Sequence, residues 1–144
     1  MDIRETLVEY SLEGYRKSTS SLVPNNPIER ILGVRIQVLR KLSLKLRNRA
    51  EKKKFLKALP HCHLEENNLH ALMISNMEDK DETMEEIERF LPYIDNWETN
   101  DIMNPRSLRK DLDKTNIHAN EWLHGKEIYS RRYAITTFSW KMTA

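Results

Sequence analysis

Apolar residues recur at helical spacing along most of the chain, and this periodicity is the feature that most constrains the fold. The segment 34–48 is the clearest example, because an apolar stripe at steps of four lies opposite a basic face. The stripe consists of Val34, Val38, Leu42 and Leu46, with Leu39 beside it. Strand-like alternation is weak, and only three glycines are available for tight turns. The pattern therefore predicts an all-α protein.

The predicted helices follow one another in pairs separated by short breaks. A first helix at 2–18 is followed by a Ser-, Asn- and Pro-rich loop that extends to Pro27. The later pairs repeat at roughly thirty residues, which is typical of helical solenoids of the HEAT type. Their members are expected at 34–48, 50–59, 64–77, 81–91, 96–103 and 106–123, with Asp81 as an N-cap, and one last helix is expected at 126–141. A short HEAT-like stack is predicted, and a plain helical bundle is the alternative.

The length of 144 residues suits one domain with a buried core. We expect a single domain over 1–144, with a helix and loop at 1–27 and helix-pair repeats at 28–144. No run of 18 apolar residues occurs and the N-terminus is acidic, so neither a transmembrane helix nor a secretory signal is expected. The single cysteine, Cys62, cannot form an internal disulfide. Together these features predict a cytoplasmic protein.

Charge is sorted along the chain, although the net charge is only +2. Residues 34–57 carry ten Lys or Arg against one acid, residues 65–101 carry twelve acids against two bases, and residues 102–144 carry eight bases and four acids. Basic blocks of this kind can follow a nucleic-acid backbone, or they can be solvated helix faces that pair with acidic neighbours. In the first interpretation, the expected contacts with duplex DNA are Arg40, Lys41 and Lys45.

The segment 93–101 places an aromatic ring and a carboxylate four residues apart. On a helix, Trp97 and Asp101 would therefore point the same way. A carboxylate stabilises the developing positive charge of a sugar-like transition state, and an aromatic ring packs on the sugar and excludes water. The alternative interpretation is a buried Trp97 with an exposed Asp101 that has no catalytic role.

Two adjacent arginines, Arg131 and Arg132, lie between aromatic residues near the C-terminal end. Guanidinium groups bind phosphates through paired N–H donors, and aromatic rings stack near nucleotides. These arginines are therefore candidate DNA contacts. The alternative is a surface pair that binds the acids of 78–88.

An ordered set of segments resembles the AlkD-like DNA alkylation-repair glycosylases. The resemblance covers about residues 28–138. The segments are 32–35 with 39–42, 63–75, 88–97 continuing to Asp101, Trp122, and 132–135.

The resemblance implies a HEAT-like solenoid that binds duplex DNA and excises cationic alkylated purines such as 3-methyl or 7-methyl adducts. It assigns Asp101 as the catalytic carboxylate, Trp97 as the aromatic contact, and Arg132 as a phosphate or site-closing contact. It implies no cofactor and no metal. One departure from the family pattern is Asn100, where relatives commonly have a small residue such as cysteine.

The resemblance also implies a chain shortened at its C-terminal end, either active or reduced to DNA binding. An apolar end face would then favour self-association, so a homo-oligomer through this end is expected. The face consists of Ile135, Phe138, Trp140 and Met142. The alternative function is a helical-repeat module that binds another protein without catalysis.

The His61-Cys62-His63 segment invites a metal interpretation that we do not favour. Zinc needs about four converging ligands, and three adjacent side chains cannot all face one ion. Glu66 and His70, one helical turn apart, are instead expected to hydrogen-bond to each other.

Overall fold

The computed structural model describes the backbone of residues 1–143 and the side chains of residues 1–141. Within that range the chain forms ten α-helices and no strand, so the all-α prediction is confirmed. The helices are α1 (Ile3–Glu9), α2 (Glu13–Leu22), α3 (Ile36–Lys45), α4 (Ala50–Lys57), α5 (Leu64–Ser75), α6 (Lys80–Phe90), α7 (Trp97–Ile102), α8 (Arg106–Arg109), α9 (Leu112–Leu123) and α10 (Ile128–Thr143).

The residues group into two compact units, one formed by Met1–Met73 and the other by the residues from Ile74 onward. Each unit contains several helices joined by short connections, as the sequence predicts. The single domain over 1–144 and the HEAT-like superhelix stay predictions.

In the first unit, the predicted N-terminal helix is two helices. The break lies at Leu12, which adopts an extended conformation and donates its N–H to the carbonyl of Gly33 at 2.9 Å. Gly33 has a φ of +85°, and a Cβ atom there would lie only 2.5 Å from the Leu12 carbonyl oxygen. This close approach requires glycine. The second helix continues to Leu22, into the stretch that was predicted as a loop.

The amphipathic character of α3 is confirmed, but the helix begins two residues later than predicted. Leu39, Leu42 and Leu46 are buried. Residues 32–34 are held out of the helix because their backbone N–H groups all donate to the buried carboxylate of Glu65, at 2.8, 2.8 and 3.2 Å. This side chain satisfies donors that would otherwise be unpaired inside the unit.

In the second unit, side-chain caps set boundaries that differ from the prediction. The N-cap of α6 is Asp79 rather than Asp81, and it accepts the N–H of Glu82 at 2.8 Å. The helix predicted at 106–123 is interrupted because Asp111 caps α9 by accepting the N–H of Lys114 at 3.3 Å. Short polar side chains compete with the helical backbone in this way.

Aromatic residues form much of the core of the second unit. Tyr133 on α10 is fully buried, and its hydroxyl donates to the carbonyl of Met103 at 2.8 Å. Its ring lies 5.7 Å from that of Trp122 and 6.1 Å from that of Trp140. Trp140 is therefore a core residue, and its predicted place on an exposed end face is wrong.

Only part of the predicted end face is exposed. Ile135 is 62% exposed, whereas Phe138 is half-buried. The side chain of Met142 lies outside the described residues. Self-association through this end stays a prediction, which sedimentation over a range of concentrations would check.

Candidate functional site

The start of α7 is fixed by a buried asparagine. The side-chain oxygen of Asn96 accepts the N–H of Thr99 at 2.8 Å, and its amide nitrogen donates to the Thr99 hydroxyl at 2.9 Å. Asn96 and Thr99 are both fully buried. This N-cap makes Trp97 the first helical residue and places Asp101 one turn later on the same face.

Both candidate side chains of α7 reach the surface. Trp97 is 39% exposed, and the side chain of Asp101 is 41% exposed. The interpretation of Trp97 as a buried core residue is therefore wrong. The geometry leaves an aromatic surface and a carboxylate accessible from solvent on one short helix.

Arg132 of α10 donates two hydrogen bonds to the Asp101 carboxylate. Its Nε lies 3.3 Å from one carboxylate oxygen, and its Nη2 lies 3.1 Å from the other. Hydrogen bonding to Asp101 raises the pKa of Arg132, so the guanidinium stays charged. The pair is about half exposed, and such pairs contribute only about 0–1 kcal/mol to stability. It can therefore be exchanged for other partners at little cost.

A buried contact holds α7 against the start of α10. Asn100 is fully buried, and its side-chain amide donates to the carbonyl of Tyr129 at 2.9 Å. The resemblance marks Asn100 only as a departure and predicts no structural role for it. Asn100 lies beside Asp101 and so provides a buried polar link between the two helices that carry the Asp101–Arg132 pair. A polar residue on the buried side of a predicted helix is the one sign in the sequence of such a buried hydrogen bond.

Arg131 has a different role from Arg132. Its guanidinium Nη1 donates to the carbonyl of Gly125 at 3.0 Å and to that of Lys126 at 2.9 Å. These bonds close the turn that precedes α10. Neither arginine has a salt bridge with an acid of 78–88 among the described residues. A direct contact of Arg131 with DNA stays a prediction.

An open groove of about 780 Å³ contains the Asp101–Arg132 pair. Two strongly exposed isoleucines, Ile128 and Ile135, lie along the same wall. The groove thus offers a carboxylate, the guanidinium groups of Arg131 and Arg132, and an apolar ledge. Sequence reasoning missed several of its residues, because no local pattern distinguishes them. These are Ile128, Thr136 and Ser139, whereas Tyr129 is one of the aromatic residues that flank the two arginines in the sequence.

The basic face of α3 is solvent-exposed, in the first unit. Arg40, Lys41 and Lys45 are all exposed, on the side opposite the buried leucines. Among the residues that the structure describes, none forms a salt bridge with any of these three. The alternative prediction, in which these basic residues pair with acidic neighbours, is therefore wrong for these three. Three unneutralised charges on one helix are available to an anionic partner.

The histidines at 61–70 form a buried polar cluster rather than the pair that was predicted. His61 Nε2 lies 2.9 Å from His70 Nδ1, and Glu66 binds His63 at 2.7 Å. The expected Glu66–His70 hydrogen bond is wrong. Burial lowers the pKa of His61 to about 4, so its imidazole is neutral near pH 7. Its ring stacks on Phe55 at 4.3 Å, which is a packing role.

Comparison with known proteins gives one informative result. The sequence model of a family described as DNA alkylation repair enzyme matches residues 4–143, a longer stretch than the 28–138 expected from the resemblance. No curated protein and no solved structure matches the chain. Within the described residues, none of the helices combines the length and apolar character that crossing a membrane requires. Because the match covers nearly the whole sequence, the chain belongs to the family of DNA alkylation repair enzymes.

Proposed function

We propose that the chain is a glycosylase that releases cationic alkylated purines from duplex DNA. The observation that carries the proposal is the exposed Asp101 carboxylate, one turn from the exposed ring of Trp97 and held by Arg132. Family membership supports a role in DNA repair, and this arrangement supplies the groups that the chemistry needs. In this proposal no group other than protein side chains and water takes part.

The substrate itself supplies much of the driving force. A purine alkylated on a ring nitrogen carries a positive charge, so it leaves with the electrons of the N-glycosidic bond and becomes neutral. The positive charge then develops on the deoxyribose, where the Asp101 carboxylate stabilises it. At about 4 Å and an effective dielectric constant of about 20, such an attraction is about 4 kcal/mol. Water then adds to C1′ and loses a proton to solvent.

Arg132 couples this chemistry to DNA binding in our proposal. In the free chain its guanidinium group neutralises the carboxylate that the reaction needs. A DNA phosphate offers the same guanidinium group a second bidentate partner. Transfer of Arg132 to phosphate would leave Asp101 facing the sugar with its full charge. Trp97 would pack on the deoxyribose and exclude water from one side.

The basic face of α3 supplies affinity without sequence preference. Each phosphate that Arg40, Lys41 or Lys45 neutralises would release condensed counterions, so affinity should fall with salt by about 0.9 log units per contact per log unit of salt. We infer that Arg131 supports the site by fixing the turn before α10, in addition to any contact with phosphate.

The first experiment is base release from duplex DNA treated with a methylating agent. Release of 3-methyl or 7-methyl purines above the spontaneous rate supports the glycosylase. Duplex binding with a steep salt slope but no release would show a relative that has kept DNA binding alone. That outcome would refute the catalytic roles of Asp101 and Trp97.

A second candidate function is a non-catalytic module that binds a protein. The exposed Ile128 and Ile135, at 66% and 62%, favour it because they form an apolar ledge beside charged groups. A chain that neither releases base nor binds duplex DNA at low salt would make this function the better account.

A further inference from the structure

Three potential metal ligands converge between α6 and α9, in a place that the proposed glycosylase does not use. Glu88 comes from α6, and His118 and Glu121 come from α9. One ligand atom of each lies within 4.8 Å of the others. His118 and Glu121 are three residues apart, so they project from the same face of their helix.

The distances are close to those of one coordination shell. With ligand bonds of about 2.0–2.1 Å and tetrahedral angles, two ligand atoms of a zinc ion lie about 3.3 Å apart. His118 Nδ1 is already 3.0 Å from an oxygen of Glu88. The widest separation must close by at most about 1.5 Å. Glu121 is exposed, so a change of its side-chain rotamer can supply that movement.

The ring nitrogen of His118 that faces Glu88 lacks a hydrogen bond. Its Nδ1 is shielded from solvent, yet the contact with Glu88 is not aligned as a hydrogen bond and this nitrogen has no hydrogen-bond partner. Buried polar atoms are nearly always paired, and a water or an ion can satisfy an atom of this kind. A cation between Nδ1 and the two carboxylates would satisfy all three groups at once.

The surrounding structure leaves room for such an ion. A cavity of about 430 Å³ lies beside the cluster, with Glu88 and His118 in its wall. Further along, two exposed salt bridges of 3.2 Å join residues of α6 to residues at the start of α9. The bridges are Lys80–Asp111 and Lys114–Asp81. Water in the cavity can complete the coordination of such an ion.

We propose that Glu88, His118 and Glu121 bind one divalent transition-metal ion of the Zn²⁺ class, which links α6 to α9. An imidazole with two carboxylates suits Zn²⁺, Co²⁺ or Ni²⁺, whereas Mg²⁺ and Ca²⁺ prefer oxygen ligands alone. The sequence predicts no metal, because the family resemblance implies none and the adjacent side chains of 61–63 cannot all face one ion. The ligands of the proposed site come from two helices about thirty residues apart in the chain.

The test is Zn²⁺ titration of the full chain by calorimetry, with Co²⁺ absorption as a report on ligand number. We expect one Zn²⁺ per chain and a rise in the unfolding temperature, because the ion binds only the folded arrangement. His118→Ala and Glu121→Gln should each weaken Zn²⁺ binding by at least about tenfold. Losing a group that only hydrogen-bonds to a metal ligand already costs about that much affinity, and these two side chains are proposed to bind the ion directly. Glu121 is exposed, so its variant tests the site with no risk to the core.

Two control variants make the result decisive. His124→Ala removes an exposed histidine of the same region and should leave Zn²⁺ affinity unchanged. Cys62→Ser tests the competing 61–63 motif and should also leave it unchanged. No binding, or binding that survives His118→Ala but is lost in Cys62→Ser, would overturn the proposal.

Discussion

Replacing Glu65 with glutamine should destabilise the first unit by an amount that the structure allows us to estimate. The carboxylate is buried and accepts three backbone N–H groups, from Leu32, Gly33 and Val34. Hydrogen bonds to a charged group contribute about 1.5–3 kcal/mol each. Glutamine keeps one acceptor oxygen, but its NH₂ group would face one of the donors.

We therefore expect Glu65→Gln to lower the free energy of unfolding by about 2–4 kcal/mol. This is a large part of a typical total of about 5–15 kcal/mol. Glu65→Ala should cost more, since all three N–H groups would lose their partner. The measurement is urea unfolding, where the transition midpoint should fall while the slope stays constant.

Glu9→Gln is the matched control, because Glu9 is exposed on α1 and should change stability by less than about 0.5 kcal/mol. If Glu65→Gln unfolds within that margin of the parent chain, the three hydrogen bonds do not hold the segment before α3. The hydrogen bonds to Glu65 would then also not be the reason that α3 begins at Ile36.

Three further predictions address the backbone, a buried histidine and the basic helix. Gly33→Ala should cost more than about 2 kcal/mol in urea unfolding, because its φ of +85° and the 2.5 Å approach to Leu12 exclude a side chain. The free energy of unfolding should fall as the pH drops from about 6.5 towards 4, because His61 binds a proton in the unfolded chain but stays neutral when it is buried in the folded chain. His61→Gln should remove up to about 3 kcal/mol of that fall. An unchanged pH dependence in His61→Gln would contradict this. Reversing the three exposed basic residues of α3 to Glu should weaken duplex binding and flatten its salt dependence, measured by fluorescence anisotropy, while unchanged binding would place DNA elsewhere.

The sequence predicts those features that depend on local periodicity. The apolar stripe of α3 and the shared face of Trp97 and Asp101 both follow from residues three or four apart, and both are confirmed. Boundaries were less accurate where a side chain competes with the helix. Asp111 divides the helix predicted at 106–123 because it caps α9, and periodicity alone carries no sign of this.

Features that depend on distant partners could not be predicted from the sequence alone. Arg132 binds Asp101 across 31 positions, and Glu65 binds Leu32 across 33. Both pairings depend on how helices pack, which local patterns do not specify. The same reason explains why Trp140 was expected at an exposed end, although its ring packs against Tyr133.

The most direct test of the central claim compares base release by Asp101→Asn with release by the parent chain. Asparagine keeps the size of the side chain but removes the charge that would stabilise the deoxyribose cation. We expect a loss of at least about 100-fold in rate, as for other groups that stabilise charge in a transition state, with duplex affinity equal or slightly higher. Asp113→Asn, which removes an exposed acid of α9, should release base at the parent rate. An Asp101→Asn chain that releases alkylated base as fast as the parent would contradict the account.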